Sequence, residues 1–159
     1  MNDMLVRLLD LPDTASLEKK FEGENIIFRR PIAPEKSIIV SWVRAHFSDY
    51  WANEVDVAFS NQPVSCFVAQ RNNDILGFSC YECSGKNFFG PTGTIESERN
   101  IGIGKVLLIK SLEGLKNMGY TYGIIGGVGP ASYYEKIVNA KIIEGSEKSI
   151  YQNLLKITK

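Results

Sequence analysis

The sequence predicts an α/β protein of the α+β type, with one mixed, mostly antiparallel sheet of six to seven strands flanked by helices on both faces. Helical and extended segments alternate along the chain in the order αβαα-βββ-αβ-αββ, which packs helices against a sheet. Three strands follow one another as a meander and then lead, through a glycine-spaced turn, into an apolar helix. The 159 residues are enough for a single domain, residues 1–159, with a substantial core.

Turn residues and apolar spacing delimit the segments of the first half. A short helix is predicted over residues 14–21, before a stop at Gly23, and residues 1–24 are expected to form an extension packed on the domain. Residues 25–31 are predicted to enter the core as a strand. Apolar side chains spaced by one turn predict helical structure over residues 37–60, a region dense in aromatic residues.

The second half begins with the meander. Strands are predicted over residues 65–70, 75–82 and 88–96, the first two joined by an Asn-Asn-Asp turn. The apolar helix that follows ends at Gly119. The remaining predicted elements are a strand over 120–126, a helix over 131–138 opened by Pro130, and strands over 141–143 and 149–155.

Composition argues against several classes of protein. The 18 basic and 18 acidic residues cancel, so bulk charge favours neither nucleic acid nor an anionic membrane as a partner. No uncharged run reaches the length of a membrane span, and the acidic residues in and behind the N-terminal apolar run do not fit a secretory signal. Three cysteines, an odd number, do not form a disulfide framework, and we expect a reducing, cytoplasmic environment.

The cysteines are not predicted to form a functional site. Cys80 and Cys83 have the spacing of a redox or zinc pair, but the sequence has no second pair. Residues three apart on a strand point to opposite faces, so the two thiols would not act together. Cys66 is predicted in the core, and we expect no metal.

The turn of residues 99–104, Arg-Asn-Ile-Gly-Ile-Gly, has the chemistry of an anion site. It leads into a helix whose first N–H groups lack intrahelical partners and carry partial positive charge. Gly102 and Gly104 let a ligand approach the backbone closely, which favours a phosphate or pyrophosphate. A P-loop does not fit because Lys105 is followed by Val106, and a Rossmann fingerprint does not fit because its third glycine is absent.

This R-x-x-G-x-G pattern, between a strand and an apolar helix, resembles the acyl-CoA signature of the GNAT superfamily of N-acetyltransferases. Three further features follow in the matching order: Gly93-Thr94 in the preceding strand, Gly119-Tyr120 after the helix, and Tyr133-Tyr134-Glu135-Lys136, similar to the family's F-Y-E-K. The resemblance covers residues from about 25 onward and is closest over residues 88–151.

The resemblance implies acetyl-CoA as co-substrate and a sheet that splays between its fourth and fifth strands. Pro91 and its neighbouring glycines agree with this, because they weaken a strand and indicate a bulge. In the family the splayed strand pairs with pantetheine, and one of its N–H groups polarises the thioester carbonyl. The implied carrier-binding residues are Thr92, Gly93, Thr94, Ile95, Arg99, Asn100, Ile101, Gly102, Ile103, Gly104 and Lys105.

Tyr134 matches the family tyrosine that is usually assigned as general acid for the leaving thiolate. An unperturbed tyrosine with a pKa near ~10 keeps its proton at neutral pH, and a thiol with a pKa near ~8.5 is a reasonable recipient. An amine acceptor has to lose a proton before it attacks, so a base is expected. We rank Glu96 first because it follows the splayed strand, with Glu82 and His46 as further candidates.

The resemblance implies a primary amine as acceptor, a small molecule or a peptide, bound against a wall formed by the first two helices. It leaves a homodimer open. Gly127 stands where many members carry an asparagine that contacts pantetheine, and Asn139 replaces the usual glycine after the last helix. Two other hypotheses remain: a non-catalytic acyl-CoA-binding or sensor module, which Gly127 favours, and a nucleotide-binding domain of another family.

Overall fold

The computed structural model describes residues 1–156 and Thr158. The strands within this part of the chain are β1 (Met4–Arg7), β2 (Ile26–Arg29), β3 (Cys66–Arg71), β4 (Asp74–Tyr81), β5 (Phe88–Thr94), β6 (Tyr122–Ile125) and β7 (Lys141–Ile142). They form a seven-stranded sheet in the order β2-β3-β4-β5-β6-β1-β7 over the residues described. Neighbouring strands run antiparallel except β5 and β6, which run parallel.

Helices pack on both faces of the sheet, as predicted. The α-helices of the described chain are α1 (Ala15–Glu22), α2 (Lys36–His46), α3 (Asp49–Ala58), α4 (Ile103–Asn117) and α5 (Ala131–Val138). Side chains of β3 alternate between two cores: Phe67 and Ala69 pack with α1, α4 and α5, whereas Cys66 and Val68 pack with α2 and α3. Of the helices described, none has the length and apolar character needed to cross a membrane.

The N-terminal segment belongs to the sheet, which differs from the expected packed extension over residues 1–24. Strand β1 lies between β6 and β7, with Met4 opposite both Ile125 and Ile142. The strand predicted over residues 149–155 is wrong, because residues 150–153 form turns.

The predicted splay is present between the fourth and fifth predicted strands, here β5 and β6. In the described structure these strands pair through two residue pairs, Phe88 with Ile124 and Phe89 with Ile125, and then part. Beyond that point β5 continues beside β4 alone, with an irregular register between Ser79 and Tyr81 of β4. This irregularity matches the bulge expected around Pro91. Because β6 parts from β5, one edge of β5 is left open.

Helix α4 is held against the sheet by one buried polar contact and one close approach. The Ser79 hydroxyl on β4 donates to the Leu107 carbonyl (2.9 Å) and lies 2.6 Å from the Ser111 hydroxyl. One turn further along, Tyr81 packs directly on Gly114: a Cβ at Gly114 would lie 2.5 Å from the tyrosine Cζ. These contacts fix the middle and the second half of α4 relative to β4, the strand beside β5.

Gly114→Ala is expected to lower the free energy of unfolding by about 1–3 kcal/mol, because the added methyl overpacks against a buried ring. The helix propensity of alanine would by itself favour the variant by about 1 kcal/mol. Tyr81 is 2% exposed and cannot swing into solvent without uncovering the core. Urea unfolding measures the change, with the exposed Asn117→Ala at the end of α4 as control. A Gly114→Ala protein as stable as the parent would contradict this packing.

Candidate active site

A cavity of about 780 Å³ occupies the gap where β5 and β6 part. Its wall includes Trp51 and Glu54 of α3, Pro91 and Thr92 of β5, and Tyr134 of α5. Because α3 and α5 pack on opposite faces, the cavity passes through the opening in the sheet. An extended ligand could enter on one face and present one end to the other.

The open edge of β5 offers backbone groups to such a ligand. Ile95 is committed to β4, since its N–H donates to the Leu76 carbonyl (2.9 Å). Backbone groups of successive strand residues point alternately to the two edges, so those of Thr92 and Thr94 point away from β4. Of the predicted pantetheine-binding residues, Thr92 and Thr94 are therefore the ones whose backbone can pair with a ligand.

Gly93 of β5 has no room for a side chain, because the ring of Phe47 packs against its backbone. A Cβ at Gly93 would lie 2.5 Å from the Phe47 Cζ, so the aromatic ring rests directly on the backbone. Phe47 in turn packs against Trp51, with ring centroids 5.3 Å apart. Phe47, which follows α2, and Trp51 of α3 therefore lie beside the splayed strand, and of these two Trp51 is in the cavity wall.

The predicted anion site is formed by a tight turn that ends in α4. Asn100 has φ 66° and Gly102 has φ 108°, both in the left-handed region. The first helical bond runs from the Val106 N–H to the Gly102 carbonyl (3.2 Å), so the preceding amides lie at the unpaired start of the helix. Arg99 braces the turn, because its Nε donates to the Thr94 carbonyl (2.9 Å).

Tyr133, in the first turn of α5, lies beside the start of α4. A Cβ placed on Gly104 would lie 3.3 Å from the Tyr133 Oη and 3.7 Å from the Thr94 Oγ1. The end of β5, the first turn of α4 and the start of α5 therefore surround a narrow space. Any side chain at Gly104 would protrude into that space.

Tyr134 is the predicted general acid, and the structure places it in the cavity wall. The side chain is 9% exposed and its ring packs edge-to-face on Phe89, with centroids 6.4 Å apart. Burial, with a smaller contribution from Tyr133, raises the pKa of Tyr134 to about 12. The hydroxyl therefore stays protonated at any physiological pH. Transfer of its proton to a thiolate with a pKa near ~8.5 is unfavourable, so it is better suited to donate a hydrogen bond.

The candidate bases named from the sequence lie outside the cavity wall. Glu96 begins a 3₁₀ turn after β5 and is exposed to solvent. Glu82 has structural partners, because its carboxylate accepts from the Tyr120 hydroxyl and the Asn87 N–H, each at 2.7 Å. His46 is exposed and stacks on Trp42, with ring centroids 4.7 Å apart.

Glu54 is a cavity residue that the sequence analysis missed. Its Oε1 accepts from the Ser84 hydroxyl (2.5 Å) and from the Tyr151 hydroxyl (2.7 Å). Burial, followed by the contact with Glu54, raises the pKa of Tyr151 to about 12, so Tyr151 remains a donor. The spacing in the sequence could have indicated Glu54, because it follows Tyr50 and Trp51 by four and three residues and therefore shares their helix face.

Both departures from the family pattern have a local explanation. The Gly127 N–H donates to Asp3 Oδ1 (2.9 Å), so residues beside β1 hold the loop that follows β6. Asn139 closes α5 with φ 54°, a left-handed conformation that asparagine tolerates better than most residues. The Ala140 N–H then donates to the Tyr134 carbonyl (3.3 Å), which fixes the end of the helix that carries the tyrosine.

The cysteines are free thiols, and Cys66 lies in the core as predicted. Cys80 lies opposite Cys66 on the neighbouring strand, and burial raises the pKa of the Cys80 thiol well above its usual value. An interaction with Cys80 lowers the pKa of the half-buried Cys83, so the prediction that the two thiols lie apart is wrong. The reason is that β4 ends at Tyr81, so the alternation of a strand does not extend to Cys83. Within residues 1–156 and Thr158, no group of three His, Cys, Asp or Glu residues could hold a metal ion.

Comparison with known proteins finds relatives by structure alone. No protein-family model matches the chain, and no curated protein matches its sequence. The chain superposes on a GCN5-related glucosamine N-acetyltransferase region of a fungal multi-domain GH3 β-N-acetylglucosaminidase with a TM-score of 0.71 and 16% identity, over 89% of this chain and 19% of that one. A GCN5-related N-acetyltransferase from Sphaerobacter thermophilus gives 0.68 and 14%, over 89% of this chain and 48% of that one.

A third similar structure has a length closer to that of this chain. It is a GNAT family acetyltransferase from Brucella melitensis in complex with acetyl-CoA, with a TM-score of 0.57 and 17% identity, over 74% of this chain and 86% of the other. The chain is thus an α+β protein with a splayed mixed sheet. It has the fold of the GNAT superfamily, as the sequence motifs predicted.

Proposed function

We propose that the protein is an acyl-CoA-dependent N-acyltransferase that moves an acetyl group from acetyl-CoA to a primary amine. The observation that carries this proposal is the parting of β5 and β6 after two residue pairs, beside the amide-rich start of α4 and with Tyr134 at the opening. Similar proteins that are acetyltransferases, one of them bound to acetyl-CoA, support it.

Two parts of the chain would hold the carrier. The backbone of Thr92 and Thr94 would pair with the amides of the pantetheine arm, as an adjacent strand would. The N–H groups of residues 100–105 would bind the pyrophosphate, because they lie at the positive end of a helix that is 15 residues long. Lys105 adds a positive charge in the first turn.

The proposed reaction is a direct attack in a ternary complex. The amine nitrogen forms a bond to the thioester carbonyl carbon, the carbon–sulfur bond breaks, and the proton released by the amine balances the thiolate that leaves. Positioning of the two substrates supplies much of the rate, and β5 backbone N–H groups stabilise the charge on the carbonyl oxygen. Tyr134 stabilises the thiolate by donating a hydrogen bond to sulfur.

Thiol release from acetyl-CoA in the presence of a panel of small-molecule and peptide amines tests the proposal. We expect amine-dependent release of CoA together with the acetylated amine. Tight binding of acetyl-CoA with no turnover on any amine would favour a binding or sensor module. A thermal-shift screen in which ATP or NAD, but not acetyl-CoA, stabilises the protein would instead favour a nucleotide-binding domain.

A further inference from the structure

Two charged groups belong to the described residues of the cavity wall, the N-terminal ammonium of Met1 and the carboxylate of Glu54. Glu54 is the one charged side chain among these residues. A carboxylate in the wall of a cavity attracts a cation.

The hydrogen bonds of Glu54 leave one carboxylate oxygen available. The hydroxyls of Ser84 and Tyr151 both donate to Oε1, and no described residue hydrogen-bonds to Oε2. Tyr151 lies near the C-terminal end of the described chain, 97 residues after Glu54. The two donors orient the carboxylate, and Oε2 can accept a hydrogen bond from a ligand.

The rest of the wall is mainly apolar and aromatic. It includes Trp51, Phe88, Phe89, Val128 and Leu154. Such surfaces bind the hydrocarbon or ring portion of a ligand by excluding water. Nearby, the Tyr50 hydroxyl donates to the Leu155 carbonyl (3.0 Å), which holds Leu155 against α3.

We propose that Glu54 binds the ammonium group of the acceptor, and that the acceptor is a small amine with an apolar or aromatic body. The inference rests on the proposed function, because it assigns the acceptor side of the same cavity. Ser84 and Tyr151 are positioning residues that hold the carboxylate.

Isothermal titration calorimetry with two matched ligands, with and without saturating CoA, tests the assignment independently of turnover. The ligands are 2-phenylethylamine and 2-phenylethanol, which replaces the ammonium with a hydroxyl. The variant is Glu54→Gln, which keeps the shape and removes the charge. The control is Asp56→Asn on the same helix, because Asp56 pairs with Lys36 (2.6 Å) and lies outside the cavity wall.

In the parent protein we expect 2-phenylethylamine to bind at least about tenfold more tightly than 2-phenylethanol, because only the amine can form a charged hydrogen bond with Glu54. Glu54→Gln is expected to weaken binding of the amine by about tenfold to a hundredfold, the range for a hydrogen bond to a charged group, and binding of 2-phenylethanol by less than about twofold. Asp56→Asn should leave both affinities unchanged.

Equal losses for the amine and the alcohol in Glu54→Gln would overturn the assignment, as would no binding of the amine at millimolar concentration. A different result would contradict the proposed function alone. If the amine binds through Glu54 but neither it nor any other amine releases CoA from acetyl-CoA, the cation site stands and the acyltransferase proposal does not.

Discussion

Tyr134→Phe is expected to lower kcat by about a hundredfold while the affinity for acetyl-CoA stays within about twofold. The variant keeps the ring that packs on Phe89 and removes only the hydroxyl, so the fold and the carrier site are preserved. On the proposed function, that hydroxyl stabilises sulfur as the thiolate forms. Steady-state rates and calorimetric binding of acetyl-CoA measure the two quantities, with Tyr122→Phe on the exposed end of β6 as control.

The pH dependence of the Tyr134 contribution provides a sharper form of the same test. Because burial raises the pKa of Tyr134 to about 12, its contribution is present below that pH and is lost as the pH rises through it. The ratio of parent to Tyr134→Phe rates should therefore be constant from pH 6 to about pH 10. A tyrosine with an ordinary pKa near ~10 would be half ionised at the upper limit. A ratio that has halved by pH 10 would contradict the buried environment described here.

Gly104→Val is expected to reduce the affinity for acetyl-CoA by at least about tenfold. This is the loss expected when a hydrogen bond from a backbone N–H to a charged phosphate is broken. Even a single Cβ at this position would lie 3.3 Å from the Tyr133 Oη, and the branched side chain of valine would cover the first-turn amides. Gly104→Ala should have a smaller effect. Calorimetric titration of both variants measures the affinities.

S-acetylpantetheine provides the control for this variant, because it carries the thioester but no pyrophosphate. Its affinity for Gly104→Val should stay within about twofold of its affinity for the parent protein. A loss of the same factor for both ligands would contradict a pyrophosphate site at the start of α4. Acetyl-CoA binding that is unaffected by valine would contradict it as well.

Local sequence signals were sufficient for several elements. Helix α5 was predicted with the observed bounds, Ala131–Val138, because proline precedes it and a residue able to adopt the left-handed conformation follows it. The splay was implied by the resemblance to the GNAT superfamily, and the glycines and proline of β5 agreed with it. Strand β1 was not predicted, because it has four residues and pairs with strands more than a hundred residues away. Short segments whose partners are so distant carry little signal of their own.

The residues of the candidate site also divide into those that local sequence predicted and those that it did not. Tyr134 and the turn before α4 were found because each lies in a contiguous motif. Glu54 was missed because its role depends on Tyr151, which a long stretch of chain separates from it. Glu96 was ranked first because it is adjacent to β5 in sequence, but the 3₁₀ turn of residues 96–98 leaves it exposed. Adjacency along the chain did not predict that the carboxylate would lie outside the cavity wall.

A crystal structure of the protein with acetyl-CoA tests the central claim most directly. We predict the pantetheine arm beside Thr92 and Thr94 in the gap between β5 and β6, the pyrophosphate over the amides of residues 100–105, and the thioester next to Tyr134. A carrier bound elsewhere on the protein, with β5 and β6 still parted and the gap filled only by solvent, would contradict the account.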